Sequence, residues 1–241
     1  MKLAITLAAL SLAACNGVAS GSDSGSKSRP SGSGTTRSFP VADFAKVELK
    51  GSDDVVVTTG AAFAVRAEGP SEELDRLEIS SDGTTLRIGR VRSTAMGWSK
   101  SEGVTVHVTM PSIAGASVSG SGDMTVDRAA GDFSGAVAGS GDLSIAALQA
   151  GKVDFSIAGS GGIAAAGTAA SLDISIAGSG DVDAGKVRAG RANVSIAGSG
   201  NATADIDGPA EVSIMGSGDA VMGKGAKCST SKMGSGEARC G

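Results

Sequence analysis

The stretch that decides the fold runs from residue 173 to residue 182 and reads DISIAGSGDV. Polar and aliphatic residues alternate up to Ile176, Gly178-Ser179-Gly180 then breaks the pattern, and Asp181 opens a second short alternation. Alternation with a period of two indicates a β-strand with one buried and one exposed face. The flanking glycines are typical of a sharp corner, because glycine adopts backbone angles that other residues avoid. We predict two short strands joined at a corner.

This unit is repeated seven times along the second half of the chain. The first glycine of each Gly-Ser-Gly corner is Gly120, Gly139, Gly159, Gly178, Gly198, Gly216 or Gly234. The intervals between these glycines are 19, 20, 19, 20, 18 and 18 residues. Such a near-constant period indicates one supersecondary unit per repeat, stacked on its neighbours.

The residues ahead of each corner predict which face of the strand is buried. The position two residues before the glycine is aliphatic in the first six repeats: Val118, Val137, Ile157, Ile176, Ile196 and Ile214. The position three residues before the glycine holds serine in most repeats: Ser117, Ser156, Ser175, Ser195 and Ser213. We expect the aliphatic column to form the core and the serine column to be solvated.

The predicted fold class is therefore all-β: a right-handed parallel β-helix (β-solenoid) of about seven regular rungs over residues 116–241. Right-handed crossover is the usual connection of parallel strands. Each repeat shows two apolar clusters, so we predict two sheets and a loose return. Residues 38–115 contain one diverged copy of the unit, around Gly51-Ser52-Asp53-Asp54, and are predicted to form a less regular N-terminal β region.

Composition excludes some classes of protein. The 241 residues include 38 glycines but no tyrosine, one tryptophan and one histidine, so the core must consist mainly of small and branched aliphatic side chains. A formal charge of −4 disfavours nucleic acid as a partner, because nucleic-acid binding requires a basic patch.

The N-terminus is predicted to direct export. Lys2 precedes an apolar run over residues 3–12, which suits a signal peptide and is too short for a membrane-spanning helix. Leu12-Ala13-Ala14-Cys15 resembles a bacterial lipobox, so residues 1–14 are predicted to be a lipoprotein signal peptide and Cys15 the lipidated residue. Asn16 favours the outer membrane; the alternative is an ordinary signal peptide that ends near a cysteine.

Residues 15–37 are predicted to be the lipidated cysteine and a flexible tether. Twelve of the 22 residues 16–37 are glycine or serine, which is too little apolar content to form a core.

Cys228 and Cys240 lie twelve residues apart near the C-terminus. In an exported protein this spacing favours a disulfide that closes the last rung, with two free thiols or a metal pair as alternatives. We do not expect a metal site, because the single histidine, His107, is distant in sequence and predicted to face solvent.

Two other features suggest sites. The segment with Arg92, Met96, Trp98 and Lys100 interrupts the strand pattern, and is predicted either to cover an end or flank of the solenoid or to form a contact loop. The residues that follow the corners are mostly acidic, but Gly162 and Asn201 interrupt the column, so at most two carboxylates are expected side by side. That argues against calcium. We predict no cofactor, metal or catalytic residues.

The chain resembles the DUF2807 family of auto-transporter adhesins with a head GIN domain. The resemblance covers residues 38–241. It rests on Phe39 to Phe44 leading into Val47-Glu48-Leu49, Val55-Val56-Val57, Thr85-Leu86-Arg87-Ile88, and Val104 to Pro111 running into Ser119-Gly120-Ser121-Gly122-Asp123. The resemblance implies a β-helical fold in the bacterial envelope.

The expected function is that of a non-enzymatic, lipid-anchored envelope protein that presents a rigid solenoid for adhesion or interaction. Its expected partners are the membrane, through the lipid anchor, and a glycan or protein on the envelope or on another cell. A structural or stress-related periplasmic component is the alternative. A polysaccharide-active β-helix enzyme is less favoured, because the inventory of aromatic and acid–base residues is poor.

Overall fold

The computed structural model describes residues 26–91 and 103–241. The first described segment contains a single helical turn, and strands supply the rest of the regular structure. The elements up to residue 110 are β1 (Ser26–Lys27), β2 (Thr36–Phe39), β3 (Lys46–Gly51), β4 (Asp54–Thr59), β5 (Ala64–Glu68), α1 (Ser71–Leu74), β6 (Leu77–Ser81), β7 (Thr85–Arg90) and β8 (Thr105–Met110). None of the described helical structure is long and apolar enough to cross a membrane.

The remaining strands belong to the repeats. They are β9 (Gly115–Gly120), β10 (Met124–Val126), β11 (Ala129–Ala130), β12 (Phe133–Gly139), β13 (Asp142–Gly159), β14 (Gly162–Gly178), β15 (Asp181–Ala189), β16 (Ala192–Gly198), β17 (Ala202–Ile206), β18 (Pro209–Gly216), β19 (Ala220–Val221), β20 (Lys227–Gly234) and β21 (Ala238–Arg239).

The repeats stack as parallel rungs, one per turn of the chain. Strands ahead of the corners form a first sheet, and strands behind them form a second sheet. The first glycines of all seven corners lie in one column, each in register with the next. This confirms the predicted parallel β-solenoid of about seven turns.

The interior is aliphatic, as the alternation predicts. The residues two positions ahead of the first six corners are all at most 2% exposed, and Phe155 is the largest fully buried side chain. The intervening serines point outward, and Ser156, Ser175, Ser195 and Ser213 are exposed. Stacking small and branched residues in register therefore fills a core almost without aromatic rings.

The corners are joined to one another by backbone hydrogen bonds. The carbonyl oxygen of Gly159 accepts the N–H groups of Ser179 (2.8 Å) and Gly180 (3.1 Å) from the next rung. Gly178 has φ of +131°, and a Cβ on either Gly178 or Gly180 would overlap a carbonyl oxygen of the rung below. Glycine is thus required for both the turn and the close approach.

The diverged unit around Gly51 forms a further rung. Strands β3 and β4 pair in parallel with β9 and β10, and Gly51 is in register with Gly120. Strands β7 and β8 in turn pair with β3 and β4 on their other side. The β3–β4 rung therefore lies between two rungs that follow it in the chain.

Antiparallel strands continue both sheets beyond the β7–β8 rung. Strand β6 pairs with β7 and β1 with β6, while β5 pairs with β8 and β2 with β5. Strands β1 and β2 begin within residues 15–37, the range predicted to be a tether. Pairing with β6 and β5 attaches these two strands to the edges of the solenoid.

The returns between repeats also differ from the prediction. In the middle rungs, β13 and β14 run without a break through the return, and Leu148 and Gln149 pair with Gly167 and Thr168. The return is a third paired segment rather than a loose loop. It contributes single buried side chains, including Leu148 and Val187. One apolar residue per return is too weak a signal to predict a strand.

The C-terminal end is closed by a polar rung and a disulfide. Strand β20 places Thr230 and Lys232 over Val212 and Ile214, so the last rung presents polar side chains where earlier rungs present aliphatic ones. The predicted disulfide between Cys228 and Cys240 is present, with Cα atoms 6.1 Å apart. Both features blunt an edge that would otherwise invite strand addition.

Replacing Cys228 and Cys240 together by serine is expected to loosen the last rung selectively. The cross-link closes a short loop, for which the loss of stabilisation is about 3 kcal/mol. Hydrogen exchange should show faster exchange of the amides of β20 and β21, with the amides of β14 unchanged. Unchanged protection of β20 in the double variant would contradict this role.

Candidate interaction surfaces

The outer side of the first sheet is the most regular exposed surface. We call it the serine face and define it by the outward column Ser117, Ser156, Ser175, Ser195, Ser213 and Ser231, in register from rung to rung except that Ala136 replaces serine in the second. A shallow groove of about 420 Å³ crosses its middle, between the serine column and a parallel column of Asp154, Asp173, Asn193 and Glu211.

The acidic column of this groove is partly neutralised. Lys152 Nζ lies 3.0 Å from Asp154 and 3.4 Å from Asp173, and Asn193 Nδ2 donates to Asp173 at 2.7 Å. Hydrogen bonding to Asp154, followed by its charge, raises the pKa of Lys152, so the lysine stays protonated. The groove therefore offers hydrogen-bond donors and acceptors and carries a small net negative charge.

The outer side of the second sheet carries another groove, of about 360 Å³. Its floor is the outward column Val56, Thr125, Ser144, Ala164 and Asp183. At its margin Asp127 accepts hydrogen bonds from the backbone N–H (3.0 Å) and hydroxyl (2.8 Å) of Thr59. That carboxylate is thus engaged in holding neighbouring rungs together.

A ladder of polar side chains follows the corners. Asp123 accepts the amide N–H of Asp142 (2.9 Å), and Asp142 accepts that of Gly162 (2.7 Å). Asp181, Asn201 and Asp219 repeat the arrangement in later rungs. Each side chain bonds the backbone of the next rung, because the stacked amide N–H lies directly beside its side-chain oxygen.

The same ladder corrects the predicted spacing of charges. Asp54 of the β3–β4 rung accepts the amide of Asp123 at 3.2 Å, so Asp54, Asp123 and Asp142 form three consecutive carboxylates rather than two. The backbone N–H groups offset their mutual repulsion. Within residues 26–91 and 103–241, no group of three or more His, Cys, Asp or Glu side chains is arranged to hold a metal ion.

The structure places some predicted site residues and not others. The seven corner glycines align in one column, and Cys228 bonds Cys240. His107 points outward from β8, as predicted. The predicted lipidation site, Cys15, and the predicted contact loop with Arg92, Met96, Trp98 and Lys100 lie outside the described residues.

A buried ionic cluster at the N-terminal corner was not predicted. Asp53 stands where regular corners have their second glycine, and it is fully buried. It accepts from Arg90 Nε at 2.8 Å and from the Val104 N–H at 3.2 Å, and Arg90 also pairs with Glu73. Hydrogen bonding to Asp53 raises the pKa of Arg90. In the sequence, this cluster is indicated only by Asp53, which replaces the second glycine of the corner.

Comparisons with known proteins agree with this architecture. The family model DUF2807, "Putative auto-transporter adhesin, head GIN domain", matches residues 43–226. No curated protein matches the chain.

Several solved structures share the fold. A "putative adhesin" from Bacteroides fragilis has a TM-score of 0.74 at 22% identity, covering 85% of this chain and 95% of that one. From Parabacteroides distasonis, a second "putative adhesin" has a TM-score of 0.67 at 20% identity, covering 86% and 96%. A "putative lipid binding protein" from the same species has a TM-score of 0.62 at 21% identity, with the same coverage.

Proposed function

The chain belongs to the DUF2807 family, and on that premise we propose that it is a non-enzymatic interaction module of the cell envelope that presents its solenoid to a partner. In this proposal residues 1–14 direct export, Cys15 carries the lipid, and the outer membrane holds the protein. Residues 16–25 would then connect Cys15 to β1.

The serine face is the observation that carries the proposal. Its side chains are short and, apart from the half-buried Ser117, exposed, and their backbone is held by parallel pairing on both sides over most of the stack. A rigid surface loses little conformational entropy when it binds. The groove between the serine column and Asp154, Asp173, Asn193 and Glu211 supplies hydrogen-bond donors and acceptors that suit a glycan or an extended protein segment.

Binding through this face predicts that Ser175→Arg abolishes partner capture by the full-length chain on glycan and protein arrays. Ser175 is exposed in the middle of the column, and arginine would fill the groove. Ser144→Arg is the matched control, because Ser144 is also exposed but lies on the second sheet. Equal binding by both variants would contradict a role for the serine face.

Anchoring and location are tested separately in cells. We expect labelled palmitate to be incorporated into the wild-type chain and not into Cys15→Ala. Protease added to intact cells should digest the protein if it faces outward. Protection of the lipidated protein would favour the structural periplasmic role, and absence of label would remove the lipid anchor.

A further inference from the structure

Exposed apolar side chains are concentrated at the C-terminal end of the solenoid. Of the four large hydrophobic side chains exposed within the described residues, Met215 (61%), Met233 (71%) and Val221 (39%) lie on the last two rungs. Met215 and Met233 are in register on neighbouring strands of the first sheet. Preceding rungs have alanine in this outward column, at Ala138, Ala158, Ala177 and Ala197.

The charge changes sign in the same place. Residues 220–241 contain four basic residues and one acidic residue, a formal charge of +3, whereas residues 103–219 contain five basic and twelve acidic residues, a formal charge of −7. Lys224, Lys227 and Lys232 are exposed and pair with no carboxylate of the described residues. Arg239 pairs with Glu237 at 2.8 Å. We call residues 220–241 together with Met215 the C-terminal tip.

The tip lies at the opposite end of the stack from the incoming chain. Strand β1 adds to the N-terminal edge through β6 and β7, whereas β20 is the last strand of the first sheet. Nine parallel strands run from β7 to β20 in this sheet. At about 4.8 Å per spacing they separate the two ends by roughly 38 Å.

We propose that the C-terminal tip docks on a membrane surface rich in anionic phospholipid. Lysines near such a surface are attracted by its negative potential, and flexible apolar side chains enter the boundary between headgroups and acyl chains. Methionine suits that irregular boundary because it is unbranched and adaptable. A soluble acidic polysaccharide would engage the lysines but gain nothing from Met215 and Met233, which is why the lipid surface is favoured.

This inference deepens the proposed function and rests on it only for location in the envelope. A rod held at one end through Cys15 and at the other through the tip would bridge two membrane surfaces. Alternatively, it would lie along a single one. Either geometry uses the same contact, so the contact itself is what the experiment measures.

The test is co-sedimentation of the mature chain, residues 15–241 with Cys15→Ala and so without the apolar run of the signal peptide, with vesicles of phosphatidylglycerol and phosphatidylcholine in equal parts. We expect binding that weakens with salt and is absent with phosphatidylcholine alone. Lys224→Ala/Lys227→Ala should weaken it by about fivefold per lysine. Met215→Ala/Met233→Ala, which restores the residue of earlier rungs, should weaken it by at least about fivefold.

The matched control is Lys186→Ala/Arg191→Ala, which removes the same charge from exposed positions on the body and should leave binding within about twofold. Unfolding midpoints confirm that each variant is folded. Equal losses in tip and control variants, equal binding to neutral vesicles, or no vesicle binding would each overturn the inference. Because Cys15 is absent from every variant, these outcomes are independent of whether the native protein is lipidated.

Discussion

Replacing Gly178 by alanine is expected to destabilise the folded protein by about 3 kcal/mol or more, the sum of backbone strain and overpacking. Alanine at φ of +131° is strained, and its Cβ would overlap the carbonyl oxygen of Gly159. That oxygen accepts two N–H groups of the next rung, so relieving the overlap would break the corner ladder. Urea unfolding monitored by circular dichroism measures the change in the free energy of unfolding.

Three further glycines separate the two causes. Gly180→Ala tests close approach alone, because its φ lies outside the left-handed region while its Cβ would overlap Gly161. Gly83→Ala tests strain alone, with φ of +82° and open space around the Cβ, and should cost about 1 kcal/mol. Gly103 has neither constraint, so Gly103→Ala should stay within about 0.5 kcal/mol. If all four variants lowered the free energy of unfolding by similar amounts, the corners would not be packed against each other.

Replacing Arg90 by alanine is expected to lower the free energy of unfolding by about 3–5 kcal/mol. The substitution would leave Asp53 and Glu73, at 0% and 7% exposure, without the guanidinium that now bonds both of them. Removing one member of a buried ion pair is costly because the remaining charge has been taken out of water. Thermal and urea unfolding both report the change.

An exposed ion pair provides the comparison. Lys152 bonds Asp154 and Asp173 on the serine face, with its side chain 53% exposed, and Lys152→Ala should lower the free energy of unfolding far less than Arg90→Ala does. The double variant Arg90→Met/Asp53→Leu removes both the guanidinium and the most deeply buried carboxylate, and should recover part of the stability lost in Arg90→Ala. A loss no larger for Arg90→Ala than for Lys152→Ala would show that the cluster does not hold the N-terminal corner.

The regular rungs could be predicted from sequence because one physical rule governs each of them. Alternation assigns every residue of β16 or β18 to a face, and the glycine corner sets the register. Stacking then follows, since each rung buries its apolar side only against copies of itself. Cys228 and Cys240 were assigned to the last rung by the same reasoning.

The N-terminal rungs could not be predicted in their spatial order. The sequence shows that the Gly51 unit resembles a rung. It lies outside the regular repeat spacing, however, so the sequence does not indicate which strands pair with it on either side. Placement of β3–β4 between β7–β8 and β9–β10 depends on long-range fit, including the salt bridge from Arg90 to Asp53. Asp54 joins the acidic ladder only because of that placement.

The candidate surfaces were only partly predictable for a related reason. Outward serines follow from alternation, but the groove beside Asp173 and Asn193 depends on how neighbouring rungs align side chains that are about 20 residues apart. The C-terminal tip is visible in sequence as a change of charge. Its exposed methionines could be recognised only once Met215 and Met233 were seen to stand side by side.

The central claim is that successive glycine corners stack in one column, and distances between spin labels test it most directly. Ser117, Ser195 and Ser231 lie in the same outward column, with four rung spacings from the first to the second and six from the first to the third. Labels at cysteines replacing these pairs in the Cys15→Ala chain should be separated by about 19 Å and about 29 Å, apart from label length. We predict two narrow distance distributions, with the longer distance about one and a half times the shorter. Broad distance distributions, or equal distances for the two pairs, would contradict the stacked solenoid.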